Sequence, residues 1–488
     1  RAGRLTVRER IDRLFDPGTW HETGAIAGAP TYEGDRLVDL LSSNFVTGTG
    51  RIDGRRVVLG GDDFTIRGGA SDAAIGGKAA YGERMALELR LPMIRLIEGT
   101  GGGGSVKHLE MMGRTYVPAN PAMDVMVKLL QTVPVVSAAL GPVAGLGAAR
   151  VVFSHFSIMV RKTAQVFVAG PPLVEPALGQ KLTKEELGGS HIHARGSGVV
   201  DNEAEDEDDV FRQIRRFLSY LPDSVYEAPP VFRNDDPPDR REDELLGIIP
   251  RNKRRPFDVR RIIDLTLDQG SFFEIGARQG RSAVVGLGRL IGRPVGVLAN
   301  DPRFLGGAMD VRAAEKMTRF IDFCDTFHLP VVHFVDNPGF LIGLEGEKQG
   351  TIRAGGRWIY SVYQATVPWC SIILRRVFGV SGAAHGDHSR LNLRYAWPSG
   401  EWGSLPLEGG VQAAYRRQIE EADDPEALRA EIEQQLAAVT SPFRTAEGFG
   451  IEEIIDPRET RPLLCEWIET AYKLLPSQLG PKSRGIRP

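Results

Sequence analysis

Apolar positions along the chain change period repeatedly. The short β-branched runs RVVLGG, PMIRLIE and VPVVSAAL read as strands, and the stretches KAAYGERMALEL and AMDVMVKLL between them read as helices. Strands alternating with helices predict an α/β arrangement with crossover connections. A charged helical stretch, LTVRERIDRLF, precedes them and ends at the turn Asp16-Pro17-Gly18. Residues 201–260 form a connector: an acidic run from Asp201 to Asp209, a helical stretch FRQIRRFLSYL, then APPVFRNDDPPDRREDE, rich in proline and charge as linkers are. The α/β pattern then resumes. Residues 410–440 carry an amphipathic helical pattern interrupted at Pro425, and TRPLLCEWIETAYKLL predicts a helix near the end.

The second stretch of pattern repeats the first. Arg51–Pro92 aligns with Arg289–Pro330 at a constant offset of 238 without a gap, and Arg51, Gly54, Arg55, Val57, Asp63, Gly68, Gly69, Ala70, Asp72, Lys78, Leu91 and Pro92 meet their own residue type. VPVVSAALGPVAGLGAA is answered further on by VPWCSIILRRVFGVSGAA. An internal repeat of this size is a duplicated domain and implies two similar pockets on one chain. The expected division is a domain over 1–225, a linker over 226–260 and a domain over 261–488. A length of 488 residues independently exceeds what one hydrophobic core supports.

Composition narrows the function. Hydrophobic residues at 42% and charged residues at 25% are ordinary for a globular protein, and a net charge of −3 argues against a basic nucleic-acid-binding face. No apolar run approaches the ~20 residues of a membrane span. Cys324, Cys370 and Cys465 are too scattered for a zinc knuckle or a disulfide framework, so a cytoplasmic protein is expected, or one of the mitochondrial matrix in a eukaryote. The 57 glycines cluster beside apolar strands, where tight strand-to-helix turns let backbone approach a ligand.

Two such turns carry the candidate chemistry. In one, a strand ends near Gly141-Pro142, and Gly145 and Gly147 bracket a turn into an Ala-rich helix. In the other, Gly379-Val380-Ser381-Gly382 occupies the matching place. The first N–H groups of a helix lack intrahelical partners, and two of them make an oxyanion hole for charge growing on a carbonyl oxygen. GTGGGGS at Gly99–Ser105 lacks P-loop spacing and reads as a loop lining a pocket. No nucleophile–base pair is evident, because Ser381 in GVSGA does not make a GxSxG elbow. His191/His193 and His385/His388 have no third ligand at recognised spacing and read as structural, so no metal is expected. Arg161-Lys162, Arg289/Arg293 and Arg375-Arg376 are candidate phosphate contacts, with surface charge the simpler reading. The acidic run Glu203–Asp209 reads as a solvated helix start.

These motifs resemble a known family. GRIDGRRVVLGGDDFTIRGGASDAAIGGK, GSHIHARGSGVVD, RPVGVLANDPRFLGGAMDVRAAEKMTRFIDFCDTFHLPVVHFVDNPGFLIG, ATVPWCSIILRRVFG and LNLRYAWPSG are similar to the carboxyltransferase (β) subunits of biotin-dependent acyl-CoA carboxylases of the propionyl-CoA and methylcrotonyl-CoA type. The resemblance implies two crotonase-like domains, a hexamer, and active sites between one subunit's N domain and a partner's C domain. It implies that backbone N–H groups of Gly145 and Leu146 hold the acyl-CoA thioester oxygen and those of Val380 and Ser381 the ureido oxygen of carboxybiotin. Gly101, Gly102, Gly103, Gly147, Gly379, Gly382 and Ala383 would line the substrate. Enolate chemistry in two holes would explain the missing triad. The chain departs from the family at GTGGGGSVKH, where SGGAR-x-x-EG is usual, and at FGVSGA, where propionyl-type members have YGGAYD. An acyl group bulkier than propionyl is therefore expected, with Val380 and Ser381 crowding their hole. No biotinylation motif or ATP-grasp region is present, so biotin would arrive on a separate carrier, from a biotin carboxylase (α) subunit. A decarboxylase or transcarboxylase, and a non-catalytic scaffold, are the alternatives.

Overall fold

The computed structural model describes residues 4–69, 75, 77–100, 110, 113–115, 117, 122–391, 393–437, 439–483 and 485–486. The chain divides into two compact units, Arg1–Ala228 with Leu479–Pro488, and Pro229–Gln478. Each unit is built on an eight-stranded mixed sheet.

The first unit opens with helix Val7–Leu14, started by Thr6 and Glu9 in a reciprocal capping box. Strand Phe45–Ile52 pairs antiparallel with Arg55–Asp62, the two joined by a tight turn. The sheet then turns parallel, with Arg55–Asp62 beside Met93–Thr100, Met93–Thr100 beside Val135–Ala144, and Val135–Ala144 beside Phe156–Val160. These central strands read as near-continuous apolar runs because both faces are covered. Helix Glu207–Leu218 buries Val210, Phe211, Ile214, Phe217 and Leu218 at helical spacing, and Phe217 stacks on Phe156 at 4.8 Å.

The second unit repeats this register. Ala283–Leu290 pairs with Arg293–Asn300 over eight residues, as Phe45–Ile52 does with Arg55–Asp62. The irregularity between Ile97 and Gly99 recurs between Val335 and Asn337, at the same offset of 238. The strand Gln165–Phe167 beside Pro142–Ala144 recurs as Glu401–Gly403 beside Arg376–Phe378. Even a tether recurs: the Lys78 ammonium donates to the Gly24 carbonyl at 2.9 Å, and the Lys316 ammonium to Gly276 and Gln279 carbonyls at 3.0 and 2.8 Å. Burial lowers the Lys316 pKa to about 7, against the pull of Glu274.

The proline-rich segment expected as a linker contributes Leu245 and Phe257 to the buried core of the second unit. Arg240 within it donates to the Leu265 and Leu267 carbonyls, both at 2.9 Å. The residues after Gln478 pack with the first unit, where the Gly480 N–H donates to the Val225 carbonyl at 2.8 Å. The predicted C-terminal helix forms over Thr460–Leu474 and buries Leu464, Trp467 and Ile468. The amphipathic stretch near 410–440 is three helices, Leu407–Ala414, Arg416–Glu420 and Pro425–Ala437, with Pro425 starting the last. All three cysteines are buried and free, and no described helix is long and apolar enough to cross a membrane.

Candidate active site

Both glycine turns stand directly after the sheet's central parallel strand. Val135–Ala144 runs into helix Leu146–Val152 through Gly145, whose φ is +60° and ψ −122°. Trp369–Phe378 runs into the short helix Gly379–Ala383, and Gly379 has φ +62°. A side chain at either position would be strained, which is why glycine stands at both. A Cβ on Gly145 would meet nothing within 4 Å, so the turn is open on that side, and a Cβ on Gly379 would lie 3.3 Å from the Ser404 carbonyl oxygen.

The Gly145 N–H, expected as one donor of the first pair, instead donates to the Phe167 carbonyl at 3.3 Å. It closes the parallel ladder with Gln165–Phe167. The donors left in the first turn of the helix are Leu146, Gly147 and Ala148, of which the first two are the pair nearest the turn. At the offset of 234 that relates the two central strands, Leu146 and Gly147 correspond to Val380 and Ser381. The Ser381 side chain does not crowd its turn, because it is buried against Asn337, its hydroxyl donating to Asn337 Oδ1 at 3.1 Å. Val380 is 63% exposed and Ala383 is exposed.

On the strand paired with each central strand lies a buried carboxylate at matching positions, Glu98 and Asp336. Glu98 pairs with Arg10 at 2.7 Å and with Arg4. Asp336 receives Arg375 at 2.9 Å and Arg376 at 2.7 Å. Burial alone would raise the Asp336 pKa, but the hydrogen bonds from the two arginines outweigh it and hold the carboxyl below its usual range. The reading of Arg375-Arg376 as surface charge therefore fails: the Arg375 side chain is 3% exposed, and both guanidiniums are committed to Asp336.

A sequence profile of the carboxyl transferase domain matches residues 1–484. The chain belongs to the carboxyl transferase domain family. A propionyl-CoA carboxylase carboxyltransferase subunit of Haloferax mediterranei is 35% identical over 94% of this chain and 89% of its own length. A methylmalonyl-CoA decarboxylase subunit alpha of Veillonella parvula is 32% identical over 94% and 88%. Among solved structures, a transcarboxylase 12S hexamer assembly with methylmalonyl-coenzyme A and methylmalonic acid bound aligns with a TM-score of 0.85 and 31% identity, covering all of this chain and 91% of the other. The protein is thus a carboxyltransferase of the biotin-dependent acyl-CoA carboxylase and transcarboxylase family, and its units have the crotonase-like fold.

The remaining candidates of this carboxyltransferase divide clearly. Gly101, Gly102 and Gly103, with most of the GTGGGGSVKH departure, lie outside the described residues. Gly382 is buried behind its turn, where a Cβ would press on the Val377 backbone. His193 clamps a loop, with Nε2 on the Val166 carbonyl at 2.8 Å and Nδ1 on the Ser197 hydroxyl at 3.2 Å. Within the acidic run, Glu207 is not solvated but buried on Arg10 at 2.6 Å. Among the described residues no group of three His, Cys, Asp or Glu side chains could hold a metal.

Pattern reading missed the polar layer behind the second turn. His333 is buried with neither ring nitrogen in hydrogen-bond geometry, and Trp369 stacks edge-on against it at 6.0 Å. Desolvation lowers the His333 pKa to about 3, with repulsion from the His385 ring adding to it and the nearby His385 backbone opposing it. Desolvation likewise takes His385 to about 4, against its bond to the Gly382 carbonyl. The signal was available in the repeat: His333 stands where the first unit has Arg95, which is paired with Glu83 at 2.7 Å.

Proposed function

We propose that this carboxyltransferase moves a carboxyl group from carboxybiotin, borne on a separate carrier protein, to the α-carbon of an acyl-CoA. The observation that carries this reading is the recurrence of one glycine-started turn at matching places in both units, each leading into backbone N–H donors. Preorganised N–H pairs stabilise charge that develops on an oxygen during reaction. Leu146 and Gly147 would hold the thioester oxygen of the acyl-CoA as its α-proton leaves. Val380 and Ser381 would hold the ureido oxygen of the donor.

When bound, carboxybiotin would supply the activated carboxyl and, once that is released, a ureido group able to take up a proton. In such an exchange the N–C bond to the carboxyl would break, a C–C bond would form at the α-carbon, and the α-proton would pass to the donor's ureido group. The residues present fit such a group: the inward Ser381 hydroxyl and the small, exposed Ala383 leave the turn accessible. The chain's own part is to bind, orient and stabilise, which needs no side-chain nucleophile. Ala383, in place of an acidic residue, favours an acyl group bulkier than propionyl.

The first unit would take the acyl-CoA side and the second the carboxybiotin side. The partners would be a biotin carboxylase and carrier subunit, and further copies of this chain in a hexamer. Large apolar side chains left in solvent support assembly: Val168, Leu173 and Leu178 in the first unit, Ile342, Leu344 and Ile352 in the second.

The test is transfer from free or carrier-linked carboxybiotin to a panel of acyl-CoAs, read as product mass. One carboxylated product is expected, on a chain longer than propionyl. No product with any acyl-CoA from a well-folded oligomer refutes the reading. Release of CO2 from carboxyacyl-CoA without net carboxylation would assign the reverse direction.

A further inference from the structure

The two turns are held in different ways, although the strands beneath them share one register. In the first unit the helix after the turn runs on to Val152, and its own bonds hold it: the Ala149 N–H reaches the Gly145 carbonyl at 3.0 Å and the Phe153 N–H the Ala149 carbonyl at 2.9 Å. In the second unit the helix ends at Ala383. A helix of five residues leaves almost all its carbonyls without intrahelical donors.

Three consecutive carbonyls there accept from side chains, the first of them shared with the Ala384 N–H at 3.1 Å. The Ser381 carbonyl accepts from Asn337 Nδ2 at 3.0 Å. The Gly382 carbonyl faces His385 Nδ1 at 2.7 Å. The Ala383 carbonyl faces His388 Nε2 at 2.9 Å. A carbonyl oxygen can only accept, so the proton sits on Nδ1 of His385 and on Nε2 of His388. Each donor is itself fixed. Asn337 Oδ1 accepts from the Gly339 N–H at 3.0 Å, which sets the amide's orientation. His385 is buried, and its own carbonyl accepts from Trp369 Nε1 at 2.8 Å and from the Ser371 hydroxyl. The His388 ring packs edge-on against His385 at 4.9 Å and against Tyr363 at 6.5 Å.

The duplication supplies an internal control. At the matching positions the first unit has Gly99 for Asn337, Gly147 for Ser381, Val151 for His385 and Ser154 for His388. Among the described residues no side chain holds the matching Gly147, Ala148 or Ala149 carbonyl; the Ser154 hydroxyl donates to the Val151 carbonyl at 2.7 Å instead.

We infer that Asn337, His385 and His388 are positioning residues for the second turn, clamping the Ser381, Gly382 and Ala383 carbonyls so that the Val380 and Ser381 N–H groups stay aimed outward. The clamp replaces the helix length that the first unit has and the second lacks. The inference rests on the proposed role of this turn, but the clamp itself is measurable without turnover.

The experiment compares wild type with His385→Val, His388→Ala and Asn337→Gly, which remove each donor, and with His385→Asn and His388→Gln, whose amide N–H groups stand near Nδ1 and Nε2. Hydrogen exchange is followed on the peptide covering residues 379–384, alongside kcat and KM for transfer from carboxybiotin. In the donor-less variants, exchange there should quicken about tenfold or more, and kcat should fall by about tenfold or more, as for a weakened oxyanion donor. KM for acyl-CoA should stay within twofold, since the thioester oxygen is assigned to the other turn and no substitution alters the Ala383 side chain, and the Asn and Gln variants should recover most of both losses. Unchanged exchange in the donor-less variants overturns the clamp. Quickened exchange with unchanged kcat overturns its positioning role. A wild type inactive on every acyl-CoA sinks the proposed function instead, and the exchange arm still decides the clamp.

Discussion

Alanine in place of Gly145 should slow carboxyl transfer sharply while leaving the first unit folded. The residue sits at φ +60°, ψ −122°, a conformation that costs a Cβ-bearing residue ~1–3 kcal/mol. The new methyl would meet no atom within 4 Å, so the whole cost is backbone strain and none is steric. The easiest relief is rotation of the peptide between Gly145 and Leu146, which swings the Leu146 N–H away from the oxygen it would hold. Losing one oxyanion donor costs about 2.7–4 kcal/mol, a fall of roughly 10²–10³ in kcat. The same strain should lower the melting midpoint by only a few degrees, at about 2–4 °C per kcal/mol for a unit of this size. The assay is kcat with carboxybiotin and the preferred acyl-CoA, paired with thermal unfolding followed by circular dichroism. A folded variant with kcat within threefold of wild type would refute the backbone-donor argument for this turn.

Three further outcomes are expected. With histidine-selective labelling, the ring signals of His333 and His385 should not titrate between pH 8 and pH 5, because burial takes their pKa values to about 3 and about 4. The unfolded chain binds those protons below about pH 6.5 and the folded one does not, so stability drops as pH is lowered from about 6.5 towards 3 for His333 and 4 for His385, by about 1.4 kcal/mol per unit per histidine, and His333→Leu should remove one such contribution; a His333 midpoint near 6.5 would refute this. Asp336→Asn leaves Arg375 and Arg376 facing a neutral group in a buried site, so a loss of about 3–5 kcal/mol is expected, read as a lowered melting midpoint, and an unshifted midpoint would deny the pair any structural weight. Gly54→Ala and Gly292→Ala test the repeat against itself: both have positive φ, but a Cβ at Gly54 meets nothing while one at Gly292 collides with the Phe232 carbonyl, so only the second should abolish soluble expression.

The repeat was legible because duplication preserves residue type where backbone demands it. Gly68 and Gly306 both adopt positive φ, and a Cβ on the neighbouring Gly69 or Gly307 would press on the carbonyl of Glu98 or Asp336. Strand and helix periods were legible for the same kind of reason, since the side buried against the core is written into every second or every third-to-fourth position. Charge was not. Arg10 meets Glu98 and Glu207, and Arg375 meets Asp336, across stretches of chain whose closing no local pattern reveals.

From its own order of residues this protein set its duplicated α/β architecture, its strand-to-turn glycines and its family. Tertiary structure decided how those turns are used. Pairing of Val135–Ala144 with Gln165–Phe167 consumes the Gly145 N–H and so moves the candidate donors to Leu146 and Gly147. Packing drew the proline-rich segment into the second unit and the final residues into the first. It also brought Asn337, His385 and His388 onto three adjacent carbonyls. The physical reason is common to all three. A period or a glycine records what one residue's backbone and neighbours along the chain require. A hydrogen-bond partner or a buried charge is chosen only when the folded chain brings donor and acceptor within about 3 Å, whether they lie on distant strands or, as for His385 and His388, in a turn that the surrounding packing shapes.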